Sequence, residues 1–393
     1  VDVIGFTVMT PMLDTVAKAV KIVRSSCRFL IVGGPHPTAV KHDVFDDLPE
    51  IDYAVVGEGE QVVCELLDYL QVRISNVPSQ VEMKLPNGVV ARKKTFVPAS
   101  TPNVHDISLP SRDLLPQKHY HYLFATKPGF ATMISSRGCP FRCSFCDKSV
   151  GGSRWRARSA IDVVDEMETL QKENIGFINF YDDNFLLSRS RVVAICEEIL
   201  RRNLQIEWKC EGRVDSVDLE LLQLMRRAGC RVIAYGVESG NAQSLELLRK
   251  DITVEQSVAA FQLTKQAGIR SLAYMILGVP GEDTEDVERS IQFVDDIGAD
   301  YAQFSSLTSM PGTPISQSAS FVSVKNPLDA DIQRRTLTDM NGPELQRLLQ
   351  KAWLSFYIQP KRMYFIGRDS VRSGSWREGL RLGRQFGLWF LQN

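Results

Sequence analysis

The sequence is poor in the features that mark a membrane protein, a secreted scaffold or a nucleic-acid binder. No apolar run approaches the roughly 18 residues a membrane helix requires. No leader of basic, apolar and small segments precedes the first strand-like run. Forty-six basic residues against 47 acidic ones leave a net charge of -1. Bulk charge therefore gives no pull toward nucleic acid, and no nucleic-acid partner is expected. Eight cysteines in 393 residues are too few for a disulfide framework. There is no solenoid-length repeat and no low-complexity tract. What is present is ordinary for a globular chain: 44% hydrophobic and 24% charged residues. A reduced, cytoplasmic protein of two or three domains, at about 150 residues each, is expected.

The first 75 residues alternate short apolar strands with helices. Val3–Phe6, Phe29–Val32 and Tyr53–Val56 read as strands, and Val16–Arg24 and Gln61–Leu70 as helices. That pace implies a parallel, doubly wound sheet, which binds ligands beyond the carboxyl ends of its strands. Gly33-Gly34-Pro35-His36 and Gly57-Glu58-Gly59-Glu60 stand at those ends. Residues 81–92 read as a hairpin turning at Pro86-Asn87-Gly88. Five prolines between 98 and 129 mark a linker. From 130 onward six strands (131–135, 177–181, 206–211, 231–237, 270–277, 301–305) alternate with helices (159–172, 188–202, 217–228, 253–267, 284–297). Ser159 is a candidate N-cap, and Gly229 and Gly268 end helices. Six such units predict a partial parallel barrel with its chemistry at the strands' carboxyl ends. Residues 343–358 read as helix. The tail, with Leu380, Leu382, Phe386, Leu388, Trp389, Phe390 and Leu391 beside Arg377, Arg381 and Arg384, reads as a docked amphipathic helix, with interfacial membrane contact as the competing reading. The expected domains are 1–97, a linker at 98–129, a barrel at 130–315 and a helical region at 316–393.

Five cysteines are scattered and read as buried small hydrophobes. The other three, Cys139, Cys143 and Cys146, form Cys-x3-Cys-x2-Cys just after the first barrel strand. Three thiolates on one short loop suit an iron–sulfur cluster with one iron left open. A zinc knuckle would need a fourth ligand, for which His119 and His121 are the nearest histidines. An electron-transfer cluster would fill all four iron positions.

This spacing, with the aromatic Phe145 before the last cysteine, resembles the radical S-adenosylmethionine (SAM) superfamily. The resemblance implies a [4Fe–4S] cluster on Cys139, Cys143 and Cys146 whose open iron binds SAM. It implies reductive cleavage of SAM to a 5′-deoxyadenosyl radical, and hence an oxygen-sensitive enzyme fed by an electron donor such as flavodoxin or ferredoxin. It also implies that Asp182 and Asp183, Glu211 and Arg213, Glu238 and Ser239, and Gly278 lie near SAM at successive strand ends. Each carries a structural alternative: a helix cap, a salt bridge, a buried carboxylate, a plain turn. No catalytic side chain stands out.

Residues 1–75 resemble the cobalamin (B12)-binding domain that precedes many such barrels. The resemblance implies that Thr7, Gly33, Gly34, His36, Gly57, Glu58 and Gly59 line a cobalamin site, with His36 serving the loop or tail more than the metal. The Asp-x-His-x-x-Gly loop of methionine synthase-type domains is absent, and the domain is expected to be incomplete at its N-terminus. The layout is similar to hopanoid methylases and to the anaerobic magnesium-protoporphyrin monomethyl ester cyclases, including Tyr357-Ile358-Gln359-Pro360. The expected function is methylation of an unactivated carbon in a small molecule, lipid or tetrapyrrole. A radical cyclisation and a non-catalytic cobalamin- or metal-binding module are the alternatives.

Overall fold

The computed structural model describes residues 1–75, 83–116, 120, 122, 125, 127–317, 340, 342–372 and isolated positions up to 384. They fall into two compact units. One comprises residues 1–107, 138–155 and 308–337; the other comprises 108–137, 156–307 and 338–393.

The first unit is built on strands β1 (Val3–Thr7), β2 (Phe29–Gly33), β3 (Tyr53–Val55) and β4 (Val89–Ala91), hydrogen-bonded in that order. The first three are parallel, and β4 runs antiparallel to β3. Helices α1 (Leu13–Val23), α2 (Pro35–Val40), α3 (Val44–Asp47) and α4 (Gly59–Ile74) connect and cover them. Strand alternation decides which face each side chain joins. Leu30 and Val32 pack with Leu13, Val16 and Val20 of α1. Ile31, between them, packs with Val62 and Leu66 of α4. Both faces are thus apolar, as a parallel sheet requires.

The hairpin expected at 81–92 is not what forms. Residues 83–85 carry no strand, and 81 and 82 lie outside the described residues. The Val56 amide donates to Gly88 O and the Gly88 amide donates to Val97 O, which draws β4 onto β3. A two-stranded ribbon would leave Val89, Val90 and Ala91 exposed. Joining an existing sheet buries all three.

The second unit is a curled, half-barrel sheet of six parallel strands. They are β5 (Phe130–Met133), β8 (Phe177–Phe180), β9 (Glu207–Gly212), β10 (Cys230–Glu238), β11 (Arg270–Leu277) and β12 (Tyr301–Ser306). The short strands β6 (Ser136–Arg137) and β7 (Arg156–Ala157) pair antiparallel, which the sequence pattern did not signal. Helices α5 (Ala160–Lys172), α6 (Arg189–Arg201), α7 (Leu219–Arg227), α8 (Ala242–Leu247), α9 (Val254–Gln266), α10 (Thr284–Asp296), α11 (Gly342–Tyr357) and α12 (Pro360–Arg372) complete it. The barrel elements match the expected ones to within a few residues. The Ser159 hydroxyl accepts from the Asp162 amide at 3.1 Å, the anticipated N-cap. Trp208, Cys210, Tyr235 and Met275 pack into the core under the helices. The alternate residues Lys209, Glu211 and Tyr274 share a hydrogen-bonded cluster on the opposite face of the sheet.

Candidate active site

The ladder β6–β7 closes the root of the loop 138–155, which carries the three clustered cysteines. Gly138 opens the loop at φ +82°, and a Cβ there would stand 2.3 Å from Arg154 O. Only glycine lets the two ends of the loop approach this closely. The Cys139 amide then donates to Gly152 O, the Gly152 amide to Lys148 O and the Cys146 amide to Cys143 O. Asp147 caps the next turn by accepting from the Ser149 amide at 2.8 Å. Cys143 is buried, while Cys139, Cys146 and Phe145 are half-buried. None of the thiols is in a disulfide. Three soft donors on one braced turn fit a cluster with three protein ligands. Among the described residues no three His, Cys, Asp or Glu side chains stand close enough to hold a bare metal ion. His119 and His121 lie outside the described residues.

The segment following β12 braces this loop within the same unit. The Ile315 amide donates to Ser144 O at 2.9 Å. Gly312, at φ +87°, sits where a Cβ would come within 2.8 Å of Asp147 Oδ1 and 3.0 Å of the Ala39 Cβ on α2. The cluster loop, the segment 310–315 and helix α2 therefore meet around one glycine.

At the carboxyl ends of β1–β3, the loops are laced together. His36 is fully buried. Its amide donates to Val8 O, its Nδ1 lies 3.1 Å from Thr10 Oγ1, and its Nε2 lies 3.0 Å from Asp47 Oδ2. A carboxylate at Nε2 holds the proton there and leaves Nδ1 to accept from the threonine. Both nitrogens are engaged inside the unit, so the imidazole braces the loop and has no lone pair facing outward. Thr38 donates to Gly34 O and accepts from the Gly57 amide, which ties the loops after β2 and β3. Thr7 is exposed, and a Cβ at Gly57 would meet nothing within 4 Å. Glu58 is buried and Gly59 starts α4. Space is thus open beside Gly57 at the end of β3.

The strand ends of the second unit divide into braces and open groups. Asp182 is a brace. It accepts from the Ser135 amide and hydroxyl at 2.6 Å each and from the Ser136 hydroxyl at 2.5 Å. Burial pushes its carboxyl above the ordinary range in spite of these bonds. Arg213 is another brace, donating to Lys250 O, Asp251 O and the Asp215 carboxylate. Ser239 lies between Glu282 and Ser290, and Glu282 accepts from the Gly278 and Val279 amides. Gly278 faces Leu345, whose Cδ2 a Cβ would approach to 2.7 Å. Glu238 stands at a bulge in β10 with φ +66° and pairs with Lys250 at 2.7 Å.

Glu211 and Asp183 are more open. One oxygen of Glu211 accepts from Lys209 Nζ and from Tyr274 OH, both at 2.9 Å. Lys209 is 1% exposed and also donates to Asn179 Oδ1. Asp183 is exposed. Next to it, Asn184 is buried, and neither end of its amide has a hydrogen-bond partner. An orphaned buried amide is costly and marks a place where a polar ligand completes the bonding. The sequence places Asn184 in Tyr181-Asp182-Asp183-Asn184, where the two acids carry the stronger signal.

The chain matches sequence models of known families in both halves. The B12-binding domain model matches residues 1–67, and the radical SAM superfamily model matches residues 133–294. An uncharacterized methyltransferase of Pyrococcus horikoshii is 34% identical over 379 residues, 92% of this chain and 79% of that protein. An anaerobic magnesium-protoporphyrin IX monomethyl ester cyclase of Rubrivivax gelatinosus is 29% identical over 99% of this chain and 74% of its own length. Among solved structures, the cobalamin-dependent SAM radical enzyme OxsB with aqua-cobalamin bound shares the fold, with a TM-score of 0.71 and 19% identity. That match spans 94% of this chain and 63% of the other. The two domains imply a [4Fe–4S] cluster, SAM and cobalamin as cofactors. Among the described residues no helix is long and apolar enough to cross a membrane. With both domains matched in order and a relative at this identity, the chain belongs to the radical SAM superfamily, in the branch that carries an N-terminal B12-binding domain.

Proposed function

We propose that this enzyme is a cobalamin-dependent radical SAM methyltransferase acting on an unactivated carbon of a small molecule. The observation that carries the reading is the convergence at Gly312. The cluster loop and helix α2 of the B12-type sheet belong to one compact unit and meet at a single residue. A methyl transfer needs both cofactors serving one substrate, and this arrangement supports that need. When bound, the cluster and SAM supply a radical able to take hydrogen from carbon, and cobalamin supplies a methyl group.

The protein's own residues would bind and orient these groups. Cys139, Cys143 and Cys146 would hold the cluster, with Phe145 preceding the last thiol in the sequence. Asn184, Asp183 and Glu211 would take the polar groups of SAM: the Asn184 amide can both donate and accept, and the carboxylates favour an ammonium. Asp182, Arg213 and Ser239, together with the backbone at Gly278 and the Glu238–Lys250 pair, would hold the loops in place around it. Thr7, Gly33, Gly34, Gly57, Glu58 and Gly59 would border the cobalamin face, and His36 would support it from beneath.

A second reading, radical cyclisation or oxidation, is favoured by the cyclase relative. Anaerobic incubation with SAM carrying a deuterated methyl group separates the two once a substrate is supplied. A labelled product supports methyl transfer, and an unlabelled, oxidised product supports cyclisation. Formation of 5′-deoxyadenosine that is lost in Cys143→Ala supports catalysis by the cluster; none from the reconstituted protein refutes it.

A further inference from the structure

Helix α12 is turned the wrong way for a helix that merely packs against its own domain. Its inward face is polar. Asp369 is 2% exposed, and accepts from the Arg270 guanidinium and from Tyr301 OH at 3.2 Å. Arg362 donates to Phe356 O and Ala299 O, pairs with Asp295 and lies 3.5 Å from the centre of the Phe356 ring. Ile366 supplies an apolar contact, against the cluster of Val232, Ala234, Leu272 and Tyr301. The outward face carries the apolar residues that burial would be expected to claim. Val371 is 69% exposed, Tyr364 66% and Met363 58%. Trp376 and Leu380, in the residues that follow, are exposed as well.

The charge on this stretch has one sign. From Ile358 to Arg384 the sequence holds seven Lys or Arg and two acids, in a chain whose net charge is -1. One of those acids, Asp369, faces inward against Arg270. Lys361, Arg372, Arg377 and Arg381 remain exposed beside the apolar residues. Exposed aromatic and aliphatic side chains flanked by cations match the chemistry of an anionic bilayer surface. There the rings and chains enter the headgroup boundary and the cations meet the lipid phosphates. A protein partner would need a matching acidic, apolar groove; an anionic lipid surface supplies both properties without one.

We propose that the outward face of α12 and the residues after it dock this enzyme on an anionic lipid surface as a peripheral, non-spanning contact. Arg270 and Tyr301, which anchor α12, are the first residues of β11 and β12. The contact therefore lies at the amino ends of these strands, and leaves their carboxyl ends free.

The test is sedimentation of the full chain with sucrose-loaded vesicles of phosphatidylcholine containing about 30% phosphatidylglycerol, compared with phosphatidylcholine alone. The protein is expected to pellet with the anionic vesicles and to remain in solution with neutral ones. High salt should weaken the binding. Tyr364→Ser/Val371→Ser and Arg372→Glu/Arg377→Glu should each reduce the partition at least about tenfold. Both pairs are exposed, so an unchanged thermal unfolding curve controls for folding. The proposal is overturned by no pelleting with anionic vesicles, by equal binding to both compositions, or by undiminished binding of both variants. It is equally overturned if light scattering finds a dimer that Tyr364→Ser converts to monomer, because a second copy would then cover the face.

Discussion

Replacing Gly312 by alanine tests the brace around the cluster loop most directly. Two costs add. A non-glycine residue at φ +87° is strained by about 1 kcal/mol. The new Cβ would also stand 2.8 Å from Asp147 Oδ1 and 3.0 Å from Ala39 Cβ, so a neighbour must move, at roughly 1–2 kcal/mol for a packed site. Together they amount to about 2–3 kcal/mol, or roughly thirty- to a hundred-and-fiftyfold in a local opening equilibrium. Hydrogen exchange on the native protein reads this at the Ile315 and Gly152 amides, which donate to Ser144 O and Lys148 O. Both should lose protection by about that factor, while amides in β9 and β10 keep theirs. The compensating pair Gly312→Ala/Ala39→Gly removes one of the two steric contacts and leaves the backbone strain. It should recover about 1 kcal/mol, a coupling that independent sites would not show. If Gly312→Ala changes protection less than about threefold, or the Ala39→Gly background recovers nothing, the three segments do not bear on one another as described.

Further expectations follow from the same contacts. His36→Ala strips Asp47 and Thr10 of a buried partner and should destabilise the protein by about 2–4 kcal/mol in urea titration. The electron-spin-resonance spectrum of bound cob(II)alamin should nevertheless be the same with and without His36, whereas loss of a nitrogen coupling in the variant would make His36 a metal ligand. Glu211→Gln removes the countercharge of Lys209, and should lower thermal stability by about 1–2 kcal/mol for a pair open on one side. The same substitution should weaken SAM binding in equilibrium dialysis; unaltered affinity would take Glu211 out of the SAM site. Burial raises the Glu282 carboxyl above its ordinary 4.5 despite the Ser244 hydroxyl and two amides that donate to it. The folded protein then holds a proton that the unfolded chain has already released. Stability from this group is therefore full below 4.5 and falls as pH rises through the higher folded value. Glu282→Gln should flatten that part of the stability profile measured by thermal unfolding; an unaltered slope would contradict the shift.

The barrel was legible because its signals are local. Apolar alternation, Ser159 and the helix-ending glycines each act within a few residues, and the strands and helices fell close to where they were expected. The three cysteines were legible for the same reason. The direction of the strand-end polar residues was not. Asp182 and Arg213 are polar groups at the right positions, but what they face depends on Ser135 and on the carbonyls of Lys250 and Asp251, which are distant in sequence. Local turn chemistry at Pro86–Gly88 pointed to a hairpin, and a non-local pairing with β3 prevailed. Asn184 is not legible in the sequence because burial without a partner leaves no mark on composition. The sequence pattern gives no element over 360–372, and which face of α12 turns outward is set by Arg270 and Tyr301, distant in sequence.

The hydrogen bond from Ile315 to Ser144 has a consequence for the order in which the enzyme is made. Ser144 lies in the segment that follows the first strand of the six-stranded sheet, and Ile315 lies in the one that follows the last. Between them the ribosome must deliver every intervening strand and helix. Contacts so distant along the chain form late, because the loop they close must first be shortened by folding. The cysteine turn therefore acquires its final brace only when the sheet is complete. Iron supplied before Ile315 has been made would meet three loosely held thiols; iron supplied afterwards would meet the finished turn. Maturation of the cluster is thus expected to follow synthesis of the last strand of the sheet, timed by topology.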